Sequence, residues 1–182
     1  MPYRFPFLAA GALAVLAACE PITEDECRAG DWRGIGVADG ASGRSPDRIN
    51  AYAETCAKIG IVPDARAWRA GREEGLKRYC TPENAYRIGR NGTRLAPYCP
   101  AGQRAVLSQA NITGLQYHEL STQIEQLGAQ ANDLDRQIRD ISDFASEEEL
   151  RDRRQLRRER SRIQERLREL RFQRIQYSEY AA

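Results

Sequence analysis

The sequence has little of what a catalytic or metal centre needs. It contains one histidine, His118, and no Cys-X-X-Cys pair among its five cysteines. Structural zinc sites use four Cys or His ligands at short spacing, so a zinc site is not expected. Glu73 and Glu74 would point about 100° apart on a helix, which argues against a carboxylate pair for acid/base catalysis. We therefore expect no enzymatic activity, no cofactor and no metal.

The sequence also lacks an excess of one charge and an apolar run long enough to span a bilayer. Lys and Arg number 28 and Asp and Glu number 26, and this near balance argues against bulk binding of nucleic acid. The most apolar run, Phe5–Ala18, is shorter than the roughly 20 residues that a membrane-spanning helix needs. It follows Arg4 and ends in small residues, which is the layout of a secretory signal.

The end of this run, Leu16-Ala17-Ala18-Cys19, resembles the bacterial lipobox, in which the cysteine is lipidated and becomes the first mature residue. The resemblance implies a signal peptide over residues 1–18 and a lipidated linker over 19–26. Glu20 stands where an aspartate would retain a Gram-negative lipoprotein in the inner membrane, so a periplasm-facing anchor in the outer membrane is expected. The alternative is an ordinary signal peptide that is cut near Ala18.

Four cysteines remain when Cys19 is set aside, and an even number is typical of an oxidising compartment. They allow three pairings. We favour Cys27–Cys56 and Cys80–Cys99, because each closes a short loop around one helix. Each bridge would contribute a few kcal/mol to a domain that is too small for a large core.

Composition divides the chain near Gly102, because no cysteine follows Cys99 and no proline follows Pro100. Residues 27–102 are predicted to form a compact domain of short helices, since no alternating strand pattern appears. Capping residues and prolines predict helices that start at Trp32, Ser45-Pro46, Ala65 and Thr81-Pro82, the last three ending near Gly60, Tyr79 and Gly89.

A weak internal repeat lies within this domain. The segment Gly36–Gly40 recurs as Gly71–Gly75, and a tryptophan precedes each, Trp32 and Trp68. Glycines four residues apart lie on one helix face and allow a second backbone to approach closely. We favour close helix packing with both tryptophans in the core. The alternative is a backbone surface that binds a ligand.

Short motifs through residues 27–100 together resemble an uncharacterised family of proteobacterial lipoproteins, a domain of unknown function. The most specific of them is Tyr79-Cys80-Thr81-Pro82-Glu83-Asn84. The others are Asp31-Trp32, Asp39-Gly40, Gly43-Arg44-Ser45-Pro46, Gly60-Ile61-Val62-Pro63-Asp64, Gly71–Leu76 and Cys99-Pro100. The resemblance implies a compartment and a cysteine pattern, and it implies no activity.

Residues 103–182 carry the apolar spacing of a coiled coil. Apolar residues recur in alternating steps of three and four from Tyr117 to Ile141, and a second such series runs from Leu156 to Tyr177. Ser146 and Glu149 form a capping box that starts a new helix. We predict a long antiparallel coiled-coil helical hairpin with arms of about 55 Å. The alternative is one long helix that dimerises.

The register of this hairpin can be predicted by matching the two apolar series. The best match places Ile124 opposite Ile163 and Leu127 opposite Arg160. Residues 103–145 hold three Arg and six acidic residues, whereas residues 146–182 hold eleven Arg and eight acidic residues, so opposite net charges favour pairing of the arms. Seven arginines lie in Arg151–Arg162. They indicate a solvated helix face or, alternatively, a basic face for anionic lipid or an acidic partner.

The sequence thus predicts an all-α lipoprotein of unknown biochemical activity that is a structural or adaptor protein of the cell envelope. Its expected partners are the membrane, through lipidated Cys19, and an envelope protein, through the hairpin over residues 103–182. The alternative is a ligand-binding module or cryptic enzyme in residues 27–102, with the hairpin as a spacer.

Overall fold

A computed structural model describes residues 22–179 of the chain. All regular secondary structure in this range is helical, which confirms the all-α prediction. The helices are α1 (Glu24–Ala29), α2 (Trp32–Ala41), α3 (Arg48–Ala57), α4 (Ala65–Tyr79), α5 (Pro82–Arg90), a 3-10 turn (Ala101–Gln103), α6 (Arg104–Asp140) and α7 (Glu147–Ile175). None of these helices is both long and apolar enough to cross a membrane. The predicted signal peptide and Cys19 lie outside the described residues.

Contacts divide the chain into two units, and the smaller one contains α1 and α3. The disulfide Cys27–Cys56 joins these two helices, with its Cα atoms 5.7 Å apart. A capping box starts α1, because the Thr23 hydroxyl accepts from the Glu26 amide and the Glu26 carboxylate accepts from the Thr23 amide. That backbone hydrogen bond lowers the pKa of Glu26. The predicted linker over residues 19–26 therefore includes the first turn of a helix.

The larger unit contains α2, α4, α5, α6 and α7, and its first helix pair is α2 with α4. A Cβ atom at Gly36 or Gly40 would collide with the backbone of α4, at Trp68 and at Arg72 respectively. Conversely, a Cβ atom at Gly71 or Gly75 would collide with the backbone of α2. The two glycine repeats therefore face each other, which confirms the prediction of close helix packing.

A second helix pair, α5 with α6, uses the same device. Gly89 lies against the backbone at Asn111, and Gly114 lies against the backbone at Tyr86. A buried cluster on this pair includes Ala85, Leu107 and Ala110 together with both cysteines of the second disulfide, Cys80–Cys99. Both predicted cysteine pairs are therefore bonded.

The third pair is α6 with α7. Ile124, Leu167 and Leu170 form a buried cluster between them, and the partly buried residues packed against it are Leu120, Leu127 and Ile163. Arg160 forms an ion pair with Asp135, about two helical turns along α6 from Leu127, the residue that the predicted register places opposite it. Two series of equal spacing match at several offsets, so apolar spacing alone does not fix the register. The Arg160–Asp135 ion pair belongs to a different offset from the predicted one.

Helix starts agree with the capping residues read from the sequence, with one exception. The side chains of Asp31, Asp64 and Thr81 accept from backbone amides at the first turns of α2, α4 and α5, and the predicted Ser146–Glu149 capping box starts α7. Regular helix α3, however, begins at Arg48 rather than at Ser45-Pro46, because Pro46 and Asp47 form a turn.

Candidate functional site

One apolar concavity of the larger unit is a groove on α6. One wall is the face of α6 from Arg104 to Leu115, and the other is the segment Arg94–Cys99. The groove encloses about 470 Å³, which lies in the range of small-molecule sites. Its floor is apolar, and the α6 residues that line it are Arg104, Leu107, Ser108, Asn111, Ile112 and Leu115.

The second wall of this groove is fastened to the helices behind it. The Asn111 side chain is 5% exposed; its amide nitrogen donates to the carbonyls of Ala85 and Thr93, and its oxygen accepts from the Leu95 amide. The Tyr79 hydroxyl accepts from the Ala96 amide, 2.9 Å away. The Cys80–Cys99 disulfide closes the segment at its far end. The groove is therefore built into the fold rather than formed by a free loop.

The charges of the groove are all of one sign. Its lining includes the guanidinium groups of Arg94 and Arg104 and no carboxylate. Arg104 donates through Nε to the Cys99 carbonyl, 3.3 Å away, which leaves its terminal nitrogens without an ion pair among residues 22–179. Such a surface has an apolar floor and two cationic side chains, and it is suited to an amphipathic anion.

A second concavity continues the groove toward the end of α7. The two share Arg94, Ile112 and Leu115, and the second is also lined by His118, Glu119, Leu120 and by Gln173, Gln176 and Tyr177 of α7. Its lining is more polar and includes the carboxylate of Glu119. Along the two concavities taken together, the Glu119 carboxylate therefore lies at the opposite end from Arg104.

A different surface lies at the turn between α6 and α7. Phe144 in this turn is 99% exposed. Asp143 beside it pairs with Arg153, 2.6 Å away, and this hydrogen bond lowers the pKa of Asp143. Five arginines on the neighbouring turns of α7 are exposed and form no ion pair within the described residues. They are Arg151, Arg154, Arg157, Arg158 and Arg162.

The remaining residues singled out in the sequence have ordinary structural surroundings. His118 is exposed, and its Nδ1 lies 3.2 Å from the Arg90 carbonyl. Glu74 forms an ion pair with Arg33 of α2, 2.7 Å away, and Glu73 is exposed. No cluster of three potential metal-ligating side chains occurs within residues 22–179. Cys19, the predicted lipidation site, is outside the described range.

Two polar arrangements, the first of them buried, were not predicted. The Trp68 indole donates to the Asp39 carboxylate, 2.9 Å away, and Arg72 donates to the Arg44 carbonyl while its guanidinium lies over the Trp68 and Tyr98 rings. The feature of the sequence that could have indicated this cluster is the presence of two charged residues, Asp39 and Arg72, within the glycine repeats. Their partners are all protein groups, so this cluster is part of the packing of α2 on α4.

The second arrangement fixes the end of α7. The guanidinium groups of Arg90 and Arg174 lie 4.0 and 5.4 Å from the centre of the Tyr117 ring. The Tyr86 hydroxyl donates to the Tyr177 carbonyl, and burial raises the pKa of Tyr86 although the charge of Arg90 opposes this shift. These contacts connect α5, α6 and α7.

Comparison with known proteins finds one family model that matches part of the chain. No curated protein and no solved structure matches the chain. Residues 31–116, which begin just before α2 and end in the first part of α6, match the model of a family described as a protein of unknown function, DUF2799.

Proposed function

We propose that this protein is a lipoprotein of the outer membrane, anchored through Cys19, and that its last two helices form an antiparallel coiled-coil hairpin that docks on an envelope protein. The proposal gives the chain a structural or adaptor role and assigns no catalysis to it. The lipobox-like residues Leu16–Cys19 support the anchor. Acylation at that cysteine would hold the mature protein at the membrane surface.

The hairpin is supported by the contacts between α6 and α7. The Ile124–Leu167–Leu170 cluster supplies an apolar seam. Polar contacts extend the pairing in both directions, from Asp135 with Arg160 to Ser121 with Arg174, 3.5 Å apart. Opposite net charges on the two arms favour this pairing over association of two copies.

The observation that carries the docking role is the exposed phenylalanine at the turn. An aromatic side chain that is 99% exposed contributes nothing to the fold, whereas aromatic residues are enriched at the centres of protein interfaces. The exposed arginines of α7 lie along the adjoining turns of helix. An acidic surface with an apolar pocket is therefore the chemistry that the tip would recognise.

In-cell photo-crosslinking tests this proposal. A photoreactive amino acid would replace Phe144 in one variant and Arg157 in a second, with exposed Gln126 on α6 as the matched control position. We expect one dominant envelope protein in the adducts from positions 144 and 157 and none from position 126. Absence of an adduct above background at both tip positions would reject the docking role.

The second candidate function is a ligand-binding module in residues 27–102, with the hairpin as a spacer. The groove favours it, because one wall, Arg94–Cys99, belongs to this region and is fastened by a disulfide and by Asn111. Removal of residues 132–162, with the two helices rejoined by a short Gly-Ser loop, separates the two candidates. A docking protein would no longer co-purify with the partner identified from positions 144 and 157, whereas a binding module would retain its ligand.

A further inference from the structure

We propose that the groove between α6 and the segment Arg94–Cys99 binds a long-chain fatty acid, with the carboxylate at Arg104 and the acyl chain along α6 toward Leu115. This inference is independent of the docking role assigned to α7. It gives the domain a ligand of its own, and its test does not require a protein partner.

The shape of the groove favours a single apolar chain. The α6 residues that line it recur on one face of the helix over the eleven residues that separate Arg104 from Leu115, a length of about 16 Å. Leu107, Ile112 and Leu115 supply apolar side chains along this length. Each buried methylene group of a ligand would contribute about 0.8 kcal/mol, so a chain that follows the groove is held mainly by this contact.

The charges orient the ligand. A carboxylate pairs well with a guanidinium group, because two parallel N–H···O bonds can form. Arg104 is the first residue of α6, where the helix dipole also favours an anion, and no carboxylate lines this end of the groove. At the other end Arg94 also lines the groove, but the Glu119 carboxylate of the adjoining concavity opposes its attraction for an anion. The acidic head therefore belongs at Arg104 and the methyl end toward Ile112 and Leu115.

A pre-formed site lowers the cost of binding. The wall that faces α6 is already fixed by hydrogen bonds of Asn111 with Leu95 and with the preceding Thr93, by the Tyr79 hydroxyl and by the Cys80–Cys99 disulfide. Few side chains need to be ordered when the ligand enters, which favours affinity for a small ligand. Ile112 is 44% exposed without a ligand, and the acyl chain would cover it.

The test is photoaffinity labelling of the purified protein with myristate that carries a diazirine near its methyl end. Adducts are mapped by peptide mass spectrometry, and unlabelled myristate is added as competitor. We expect saturable labelling of the peptide that contains Ile112 and Leu115, which the competitor removes. Diffuse labelling that unlabelled myristate leaves unchanged would overturn the proposal.

Matched variants make the test specific to the groove. Ile112→Asp is expected to weaken binding at least about tenfold, whereas Val106→Asp, on the same helix, equally exposed and outside the groove, should leave it unchanged. Arg104→Gln should weaken binding, whereas Arg139→Gln near the far end of α6 should not. Equal effects of the two aspartate variants would contradict the site.

The chemistry of the head group is tested by competition. The methyl ester of myristate lacks the charge and should compete at least about tenfold less well than myristate. Lysophosphatidylglycerol presents an acyl chain with a phosphate head. If it displaced the probe better than myristate, a lysophospholipid would be the ligand and the assignment of a fatty acid would be wrong.

Discussion

Glycine substitutions with opposite expected signs test the packing of α2 on α4. At Gly75 an added Cβ atom would meet the Val37 carbonyl oxygen, the Ala41 amide nitrogen and the Gly40 carbonyl carbon, all of them backbone atoms. Backbone cannot rotate away as a side chain can, so Gly75→Ala must force the two helices apart. At Gly128 on α6 no atom lies within 4 Å of the added Cβ atom.

The magnitudes follow from two opposing terms. Alanine is favoured over glycine within a helix by about 1 kcal/mol, and this term applies at both positions. Overpacking of a tightly packed contact costs typically 1–3 kcal/mol and more where backbone must move. We therefore expect Gly75→Ala to lower the free energy of unfolding by roughly 2 kcal/mol and Gly128→Ala to raise it by about 1 kcal/mol.

Thermal unfolding followed by circular dichroism measures both effects. For a chain of this size each kcal/mol changes Tm by about 2–4 °C, so Gly75→Ala should lower Tm by roughly 4–8 °C and Gly128→Ala should raise it by a few degrees. Gly40→Ala should behave as Gly75→Ala does, because its Cβ atom would meet the backbone of Arg72. Equal Tm changes at Gly75 and Gly128 would refute the backbone contact.

Three further predictions concern the groove wall and the start of α7. Asn111→Ala removes three hydrogen bonds between a buried side chain and the backbone and should lower the free energy of unfolding by about 3 kcal/mol, measured by urea denaturation. Replacement of both Cys80 and Cys99 by serine opens a loop with a sequence separation of 19 and should lower the free energy of unfolding by about 3 kcal/mol. A reductant should not destabilise this loop further in the double variant. Hydrogen bonds from Ser146 lower the pKa of Glu149 below its ordinary value of 4.5, so this carboxylate stabilises the folded state above that pH, and the contribution is lost as pH falls through the lowered pKa. The protection factor of amides in the first turn of α7, which is the intrinsic exchange rate at each pH divided by the observed rate, should therefore fall below pH 4.5 in the native protein and change little with pH in Glu149→Ala.

Local signals predicted much of the helical structure. Helix α4 begins and ends at the predicted residues, because Asp64 caps its first turn and the chain turns at Cys80. The pairing of the glycine repeats could also be predicted, since glycines four residues apart create a flat helix face. Helix α1 was missed although Thr23 and Glu26 form a capping box, because residues 19–26 were assigned to the linker.

Features that depend on contacts between residues far apart in the sequence could not be predicted from local signals. The register of α6 on α7 is one, because heptad spacing permits several offsets and the sequence does not indicate that Arg160 pairs with Asp135. The groove is another. Its two walls lie on opposite sides of Gly102, where composition suggested a boundary, and the hydrogen bonds that join them, from Leu95 to Asn111 and from Arg104 to Cys99, leave no pattern in the sequence.

The most direct test of the docking role combines a crosslink with a substitution at the tip. The photoreactive residue is placed at position 157, and Phe144→Ser is compared with Phe172→Ser, since both phenylalanines are exposed and neither supports the core. If the tip docks on a partner, Phe144→Ser should remove most of the adduct while Phe172→Ser leaves it intact. An adduct of equal yield in both variants would contradict the docking role of the tip.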